Sequence, residues 1–354
     1  MSHNILLTGV SGYLGGSLLA ALPRANLPAY KNLFALVRTD SQAASVQKYG
    51  AQALRFDVKD AFAVRQALVT NEITIVFFLI DALRAETQGH FISALAEVKA
   101  KLGGKLDVHF LHTSGAKIFS SHAGAPTHEP LLDTDPELYR VQKAQKPPVA
   151  LIQSAIDANN SVIEQAEAAG VKSYIFVPCI VYGKGDGFGN PISIQTVAIV
   201  KAARAARRVY AVDEGRPSWP VCHVSDNTSL YVELLRGILG GKGVGSGKEG
   251  YYLASSGGVA WEDLYQAMAR RLKERGLVDE EEVVVAKGDE GVLKKMGEGM
   301  GCGPELVGLM LGGKCTFTPR HGEESLGWKP QFKPEHILET AAEEVDLILE
   351  NLKD

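Results

Sequence analysis

Short apolar runs alternate with segments of helical character through the first half of the chain. The apolar runs predict strands at Asn4–Thr8, Leu33–Val37, Leu54–Phe56, Ile73–Ile80, His109–Thr113 and Ser173–Pro178, and the segments between them predict helices over 12–22, 41–49, 60–70, 87–102 and 149–169. Apolar strands joined by helices are typical of a parallel sheet that is covered on both faces. The pattern therefore predicts an α/β fold with a doubly wound parallel sheet.

After Tyr182 this alternation ends. Residues 183–191 form a glycine-rich loop, further helices are predicted over 193–208, 225–239, 261–275 and 334–352, and a second glycine-rich stretch covers 240–250. These elements indicate a smaller C-terminal lobe built on the sheet. We divide the chain into residues 1–183 and 184–354, and we expect the second part to cross back to the sheet around 209–235.

Composition narrows the class of protein. The net charge is −4, so no general basic surface favours nucleic acid or anionic lipid as a partner. No apolar run reaches the length of a membrane span, and the first predicted strand begins within four residues of the N-terminus, which leaves no room for a signal peptide. The four cysteines are scattered without a CxxC pair, so neither a metal centre nor a disulfide framework is expected. We expect a cytoplasmic protein.

The stretch TGVSGYLGG at residues 8–16 joins the first predicted strand to the first predicted helix. Glycines at such a turn allow close approach of the backbone, and the helix that follows offers free N–H groups to a pyrophosphate. The stretch therefore predicts a dinucleotide site. Its candidate residues are Gly9, Ser11, Gly12, Tyr13, Leu14 and Gly15.

The next strand ends in Val37 and Arg38. An arginine at this point pairs with the 2′-phosphate of NADP, whereas an acidic residue binds the ribose hydroxyls of NAD. We favour NADP with Arg38 as the phosphate ligand, although Asp40 leaves NAD open. Asp57, at the end of the third strand, is placed to reach the adenine edge or to cap the helix from residue 60.

Several motifs together resemble the extended short-chain dehydrogenase/reductase superfamily, and within it the NAD-dependent epimerase/dehydratase group. They are TGVSGYLGG, Arg38, Asp57-Val58, residues 112–115 (HTSG), 178–183 (PCIVYG), 223–226 (HVSD) and 325–332 (SLGWKPQF). The resemblance implies a Rossmann sheet, further cofactor contacts at Val58, Leu79, Pro178 and Ile180, and a homodimer through the helices at 87–102 and 149–169.

In that superfamily a tyrosine exchanges a proton with the substrate oxygen, a lysine four residues later lowers the pKa of the tyrosine, and a serine or threonine orients the substrate carbonyl. Ser114 fits the last role, and Tyr139 and Lys143 form the only Tyr-x-x-x-Lys in the chain. Counting back from the strand at 173–178 instead places the pair near Ile156 and Asn160, which cannot do acid–base work. Either Tyr139 and Lys143 are delivered on a short helix of their own, or the catalytic pair is lost.

These observations favour an NADP(H)-dependent oxidoreductase that acts on a carbonyl or secondary alcohol of a small organic molecule, with catalytic residues Ser114, Tyr139 and Lys143. A basic helix face at Lys201, Arg204, Arg207 and Arg208 would instead suit the phosphates of a nucleotide sugar, as in an epimerase or dehydratase. A third hypothesis is a non-catalytic NADP-binding sensor that has kept the fold.

Overall fold

The computed structural model describes residues 2–352. Its strands are β1 (Asn4–Leu7), β2 (Asn32–Leu36), β3 (Gln52–Leu54), β4 (Ile75–Phe78), β5 (His109–Thr113), β6 (Leu131–Leu132), β7 (Lys172–Pro178), β8 (Ile180–Tyr182), β9 (Tyr210–Ala211), β10 (Ser218–His223), β11 (Tyr251–Ala254), β12 (Gly258–Ala260), β13 (Val284–Val285) and β14 (Phe317–Thr318). Its α-helices are α1 (Tyr13–Ala21), α2 (Asp40–Gln47), α3 (Ala61–Thr70), α4 (Glu86–Lys101), α5 (Leu138–Ala144), α6 (Ala150–Ala168), α7 (Ile194–Ala206), α8 (Val224–Leu239), α9 (Trp261–Glu274), α10 (Glu290–Met300), α11 (Val307–Leu311), α12 (His336–Glu339) and α13 (Ala341–Asn351).

The main sheet has seven parallel strands in the order β11-β7-β5-β4-β1-β2-β3. Strands β1 and β4 are buried along their whole length, because α1 and α8 pack on one face of the sheet and α3, α4 and α6 pack on the other. The predicted doubly wound α/β fold is confirmed. All six predicted strands are present, and their carboxyl ends meet at one edge of the sheet, where ligands bind in this architecture.

The seventh strand, β11, was not predicted. It pairs in parallel with β7 over Tyr251–Ala254, directly after the glycine-rich stretch. Helix α8 packs on α1 against the same sheet. The chain therefore returns to the sheet through 224–254, which overlaps the predicted 209–235 in helix α8 and extends beyond it to β11.

The remaining elements form the smaller lobe. A three-stranded sheet, β12-β10-β8, lies beside the carboxyl edge of the main sheet, and α7 packs closely against α10. Helix α10 occupies part of a segment that was not predicted to be helical, and the predicted terminal helix is divided into α12 and α13.

Asp226 connects the lobe to α8. Its buried carboxylate accepts the backbone N–H groups of Gln331 (2.9 Å) and Phe332 (3.0 Å), while its carbonyl accepts the indole N–H of Trp328 (3.1 Å). The motifs at 223–226 and 325–332 therefore meet in space, and this contact is structural.

Within residues 2–352 no helix is both long and apolar enough to cross a membrane.

Candidate functional site

The glycine turn after β1 has the geometry of a pyrophosphate cradle. Gly9 adopts a φ of 68°, and a Cβ at this position would lie 2.6 Å from the carbonyl oxygen of Leu79. A Cβ at Gly15 would overlap the carbonyl of Gly9. Helix α1 begins at Tyr13 after Gly12, and no side chain caps its first N–H groups, which are free to bind an anion. The turn therefore fits the pyrophosphate of a dinucleotide.

A loop from the lobe packs directly on this turn. The Tyr13 hydroxyl donates to the carbonyl of Gly183 (2.6 Å), and the N–H of Asn190 donates to the carbonyl of Ser11 (3.0 Å). A Cβ at Gly187 would lie 2.5 Å from the Cα of Gly16. The loop at 183–191 and the glycine turn thus touch through their backbones.

Leu14 has a different part in this region. Its partly buried side chain packs with Tyr13, Val181 and Val224 in a small apolar cluster. This contact joins the start of α1 to β8 and α8, so the Leu14 side chain stabilises the position of the glycine turn by packing.

At the end of β2 the guanidinium of Arg38 is exposed, and within residues 2–352 it makes no ion pair or side-chain hydrogen bond. Asp40 is instead paired with Arg55, at 2.5 Å. The hydroxyl of Thr39 caps α2 by accepting the N–H of Gln42 (3.2 Å). The Arg38 guanidinium therefore lies beside a helix N-terminus without a partner in residues 2–352, whereas the carboxylate that would favour NAD forms a surface ion pair with Arg55.

Asp57 lies beyond the end of β3, and its carboxylate accepts the N–H of Lys59 (2.9 Å). The cap of α3 is Asp60, which accepts the N–H groups of Phe62 and Ala63. The alternative that Asp57 caps this helix is therefore wrong. The Asp57 side chain is exposed, and its contact with a cofactor, like that of the half-buried Val58, stays a prediction.

Ser114, Leu79 and Pro178 lie at the carboxyl ends of three neighbouring strands. The N–H of Leu79 donates to the hydroxyl of Thr8 (2.9 Å), and the N–H of Ser114 donates to the carbonyl of Phe176 (2.8 Å). The next strand, β8, opens with the buried Ile180. The carboxyl edge formed by these strands lies beside the glycine turn. In this fold a dinucleotide that is bound at the turn extends its reactive end along that edge.

The Ser114 hydroxyl is buried and has no hydrogen-bond partner within residues 2–352. His112, two residues earlier on the same face of β5, is fully buried, and neither ring nitrogen has a partner among those residues. Burial lowers the pKa of His112 to about 4, and the charge of Asp81 opposes this shift. Unpaired polar groups are rare in protein interiors, so they mark a place where a ligand or water completes the hydrogen bonds.

Lys117 is a buried cation close in sequence to Ser114 that the sequence did not single out. Its Nζ lies 5.1 Å from the ring centroid of Trp219 and donates to the carbonyls of Leu309 (2.5 Å) and Met310 (3.3 Å) at the end of α11. Burial lowers the pKa of Lys117 to about 8. A lysine three residues beyond the strand-end Ser114 could have been noticed, but its contact with α11, far along the chain, has no sequence signal.

Tyr139 and Lys143 lie on α5, where they bind Glu164 of α6. The Tyr139 hydroxyl donates to the Glu164 carboxylate (2.6 Å) and lies 3.3 Å from the Nζ of Lys143, which is also paired with Glu164. Burial, followed by the hydrogen bond to Glu164, raises the pKa of Tyr139. A catalytic tyrosine needs the opposite shift, because its phenol must lose a proton near neutral pH.

The position of this pair is also wrong for catalysis. Glu164 lies in the last turn and a half of α6, which leads through a short turn into the amino end of β7, and Lys248, just before β11, lies 5.5 Å from the Tyr139 ring. Ser114 lies at the opposite edge of the sheet, and four residues of extended β7, about 13 Å, separate its partner Phe176 from Lys172. The prediction that Tyr139 and Lys143 join Ser114 in one site is therefore corrected.

The other hypothesis placed Ile156 and Asn160 where the catalytic pair would be. Both residues lie on the buried face of α6. Ile156 is fully buried, and the side-chain oxygen of Asn160 is buried without a partner within residues 2–352. This helix face offers an amide but no titratable side chain.

Comparison with known proteins agrees with this geometry. Residues 5–242 match the family described as the NAD dependent epimerase/dehydratase family. Over 98% of this chain and the whole of the other, the sequence is 22% identical to an oxidase, ucsJ, from an Acremonium species.

Solved structures with the same fold include UDP-glucose 4-epimerase from Thermotoga maritima (17% identity, TM-score 0.63, covering 99% of this chain and all of that one). They also include the dTDP-glucose 4,6-dehydratase DesIV from Streptomyces venezuelae with NAD bound (15% identity, TM-score 0.63, covering 98% of this chain and 97% of that one). Vestitone reductase from alfalfa is a third (14% identity, TM-score 0.58, covering 98% of both chains). The family match covers well over half of the chain, and the glycine turn and sheet order agree with it. The chain belongs to the NAD-dependent epimerase/dehydratase family.

Proposed function

We propose that the protein is an NADP(H)-dependent oxidoreductase that interconverts a carbonyl group and a secondary alcohol on a small organic molecule. The observation that carries this proposal is the Ser114 hydroxyl, which is buried at the sheet edge beside the glycine turn and has no hydrogen-bond partner among residues 2–352. A substrate oxygen would supply the missing partner. The existence of an oxidase and a reductase among the similar proteins is consistent with redox chemistry.

The residues at the end of β2 support the phosphorylated cofactor. The Arg38 guanidinium, which has no ion pair in the part of the chain that the structure describes, can bind a 2′-phosphate, while Asp40 is paired with Arg55. Replacing Arg38 with alanine removes one charge-assisted contact and is therefore expected to weaken NADPH binding about ten-fold. NADH binding is expected to stay unchanged, because NADH has no 2′-phosphate.

When bound, a nicotinamide supplies or accepts the hydride at the substrate carbon. The Ser114 hydroxyl then donates a hydrogen bond to the substrate oxygen and stabilises the negative charge that develops on it. The proton that completes the alcohol comes from water in the crevice, because Tyr139 and Lys143 are bound to Glu164 near the other edge of the sheet.

The arrangement of α7 argues against a nucleotide sugar as substrate. Two of the four residues of its predicted basic face lie just beyond the carboxyl end of the helix, where Arg207 is paired with Asp279 and Arg208 with Glu282. These two ion pairs connect the end of the helix to the 279–282 turn of the lobe, so Arg207 and Arg208 are already engaged.

A non-catalytic dinucleotide sensor is the second candidate. It is favoured by the buried Ile156 and Asn160 on α6, since neither side chain can exchange a proton at neutral pH. In this case NADPH would bind in the same cradle without turnover.

The test combines binding with turnover. Fluorescence titration with NADPH and NADH measures cofactor affinity. Turnover is then followed as NADPH oxidation with a panel of ketones and aldehydes, and as NADP+ reduction with the corresponding secondary alcohols. Ser114→Ala is expected to lower kcat about 100-fold at unchanged NADPH affinity, as for the loss of one oxyanion donor, and Ser93→Ala on the exposed side of α4 is the control. Binding without turnover by the wild type on every substrate supports the sensor, and no binding of either cofactor refutes both proposals.

A further inference from the structure

A groove of about 300 Å³ lies between α1 and α8, which pack against each other. Its walls include Ala20 and Arg24 from α1 and the turn that follows it, and Thr228 and Val232 from α8. Residues four apart share one side of a helix, so each helix turns one side toward the groove. Within residues 2–352 the lining includes neither the glycine turn nor Ser114, so the groove is separate from the crevice of the proposed reaction. Its volume is at the lower end of the range for small-molecule sites.

The loop at 183–191 closes the end of the groove that is nearest to the glycine turn. Gly187 of this loop lies directly against Gly16, and the neighbouring Asp186 lines the groove. Arg24 is eight residues beyond Gly16, which corresponds to about 12 Å along α1 and the turn that follows it. Asp186 and Arg24 therefore lie at opposite ends of one groove.

These two charged residues are exposed, and neither forms an ion pair or a side-chain hydrogen bond within residues 2–352. Burial lowers the pKa of His223, near the Asp186 end, and the charge of Asp186 opposes this shift. His223 is therefore no competing cation at neutral pH. The carboxylate of Asp186 and the guanidinium of Arg24 are both available to a ligand.

Other charged groups near the groove do not alter this arrangement. Lys184 is exposed on the same loop as Asp186 but is not among the residues that line the groove. Arg236, one turn beyond Val232 on α8, is paired with Glu233 (3.0 Å) and donates to the carbonyls of residues 25 and 26. The groove thus has one anionic end and one cationic end.

Between the two ends the groove has a hydroxyl group without a partner. Thr228 is 6% exposed, and its hydroxyl is buried with no hydrogen-bond partner within residues 2–352. Val224 at the start of α8 packs with Tyr13, and Arg236 near its end reaches the carbonyl of Ala25. The two helices therefore run side by side in the same direction, and Thr228 lies between the charged ends. A buried hydroxyl of this kind marks a place where a ligand or water completes the hydrogen bonds.

We infer that this groove is a second binding site and that its ligand is a short peptide with free termini. The ammonium group of the peptide pairs with Asp186, its carboxylate pairs with Arg24, and a peptide group bonds to the hydroxyl of Thr228. An extended peptide of three residues spans about 10–11 Å, which matches the separation of the two ends. A dianion would meet the carboxylate of Asp186, and an apolar molecule would leave both charges and the hydroxyl unpaired.

The test uses three related probes on the full chain. Trialanine has both charges, N-acetyl-trialanine has only the carboxylate, and trialanine amide has only the ammonium group. Titration followed by NMR of the probe gives each Kd. Trialanine is expected to bind about five-fold more tightly than either singly charged probe, which corresponds to one surface ion pair.

The variants assign each charge to its partner. Asp186→Asn is expected to weaken trialanine and trialanine amide about five-fold and to leave N-acetyl-trialanine unchanged. Arg24→Gln is expected to weaken trialanine and N-acetyl-trialanine and to leave trialanine amide unchanged. Thr228→Val removes one hydrogen bond and is expected to weaken all three probes about five-fold. Lys184→Gln is the matched control, because Lys184 is an exposed charge two residues from Asp186, and it is expected to stay within about two-fold of the wild type.

Three results would overturn the inference. The first is the absence of saturable trialanine binding to the wild type. The second is a loss of affinity in Asp186→Asn or Arg24→Gln that is equal for all three probes, since the charge would then not pair with a peptide terminus. The third is an effect of Lys184→Gln as large as that of Asp186→Asn, which would indicate a general effect of charge. Because Asp186 and Arg24 are exposed and make no ion pair within residues 2–352, both variants are expected to fold as the wild type does, and thermal unfolding checks this.

Discussion

Two histidines of β5 are buried in the neutral form, and we predict that they make the protein less stable in acid. His109 is 5% exposed and its Nδ1 lies 2.9 Å from the hydroxyl of Tyr174, while His112 is fully buried. Burial lowers their pKa values from 6.5 to about 3 and about 4, respectively. Between these values and 6.5 the unfolded chain binds more protons than the folded one. The contribution of both residues is therefore complete above pH 6.5 and declines as the pH falls.

The magnitude follows from the linkage relation. At pH 5 each imidazole is almost fully protonated in the unfolded chain and mostly neutral in the folded one, which costs about 2 kcal/mol per residue relative to pH 8. Asp133 acts in the opposite direction, because burial raises its pKa to about 6 and the folded state then takes up protons first. A single pH series on the wild type therefore mixes the two effects, and a comparison between variants separates them.

The variant that isolates one histidine is His112→Phe. A phenyl ring has nearly the same shape, does not titrate, and keeps the ring contact with Phe78. Urea unfolding at pH 8 and at pH 5 is expected to show a loss of unfolding free energy that is smaller by about 2 kcal/mol in this variant than in the wild type. His128→Gln, on an exposed loop, is the control and is expected to behave as the wild type. An unchanged difference between the two pH values in His112→Phe would refute the reasoning, since His112 would then carry its proton equally in both states.

Three further predictions concern other contacts. Tyr139→Phe removes a hydrogen bond to Glu164 and is expected to lower the unfolding free energy, measured in urea, by about 1 kcal/mol. The kcat and the NADPH affinity are expected to stay within about two-fold of the wild type. A 100-fold loss of kcat would instead show that Tyr139 is a catalytic residue. Gly187→Ala forces a methyl group against the backbone of Gly16, so we expect the unfolding free energy to fall by about 1–3 kcal/mol. Calorimetry is also expected to show weaker NADPH binding. An unchanged NADPH affinity would show that the loop can move away from Gly16 without affecting the cofactor site. Asp226→Asn turns one accepting oxygen into a donor that faces backbone N–H groups, and thermal unfolding should show a cost of about 2 kcal/mol, whereas an unchanged Tm would contradict the contact.

The sequence predicts most of the sheet because its strands are continuous apolar runs, such as Ile75–Phe78, whose burial on both faces leaves no other assignment. Strand β11 was not predicted, because four residues after a glycine-rich stretch are too few to show a periodic pattern. Its position in the sheet depends on pairing with β7, which is distant in sequence. The glycine turn was predicted because its chemistry is local.

The Tyr139–Lys143 spacing was misleading for a physical reason. Residues four apart share a helix face wherever the helix lies, so the spacing carries no information about which edge of the sheet that helix approaches. Glu164 and Lys248 decide this position, and both are distant in sequence. In the same way, no local pattern indicated that the 183–191 loop rests on the glycine turn.

The late return of the chain to the sheet has a consequence for biosynthesis. Strand β7 ends at Pro178, and its outer neighbour β11 begins only at Tyr251. At a translation rate of roughly 5–20 residues per second, the outer edge of β7 leaves the ribosome about 4–15 s before its partner exists. During that interval an unpaired apolar strand can pair with another chain. The nascent protein is then most exposed to aggregation, and a holdase chaperone that covers this edge would raise the yield of folded protein.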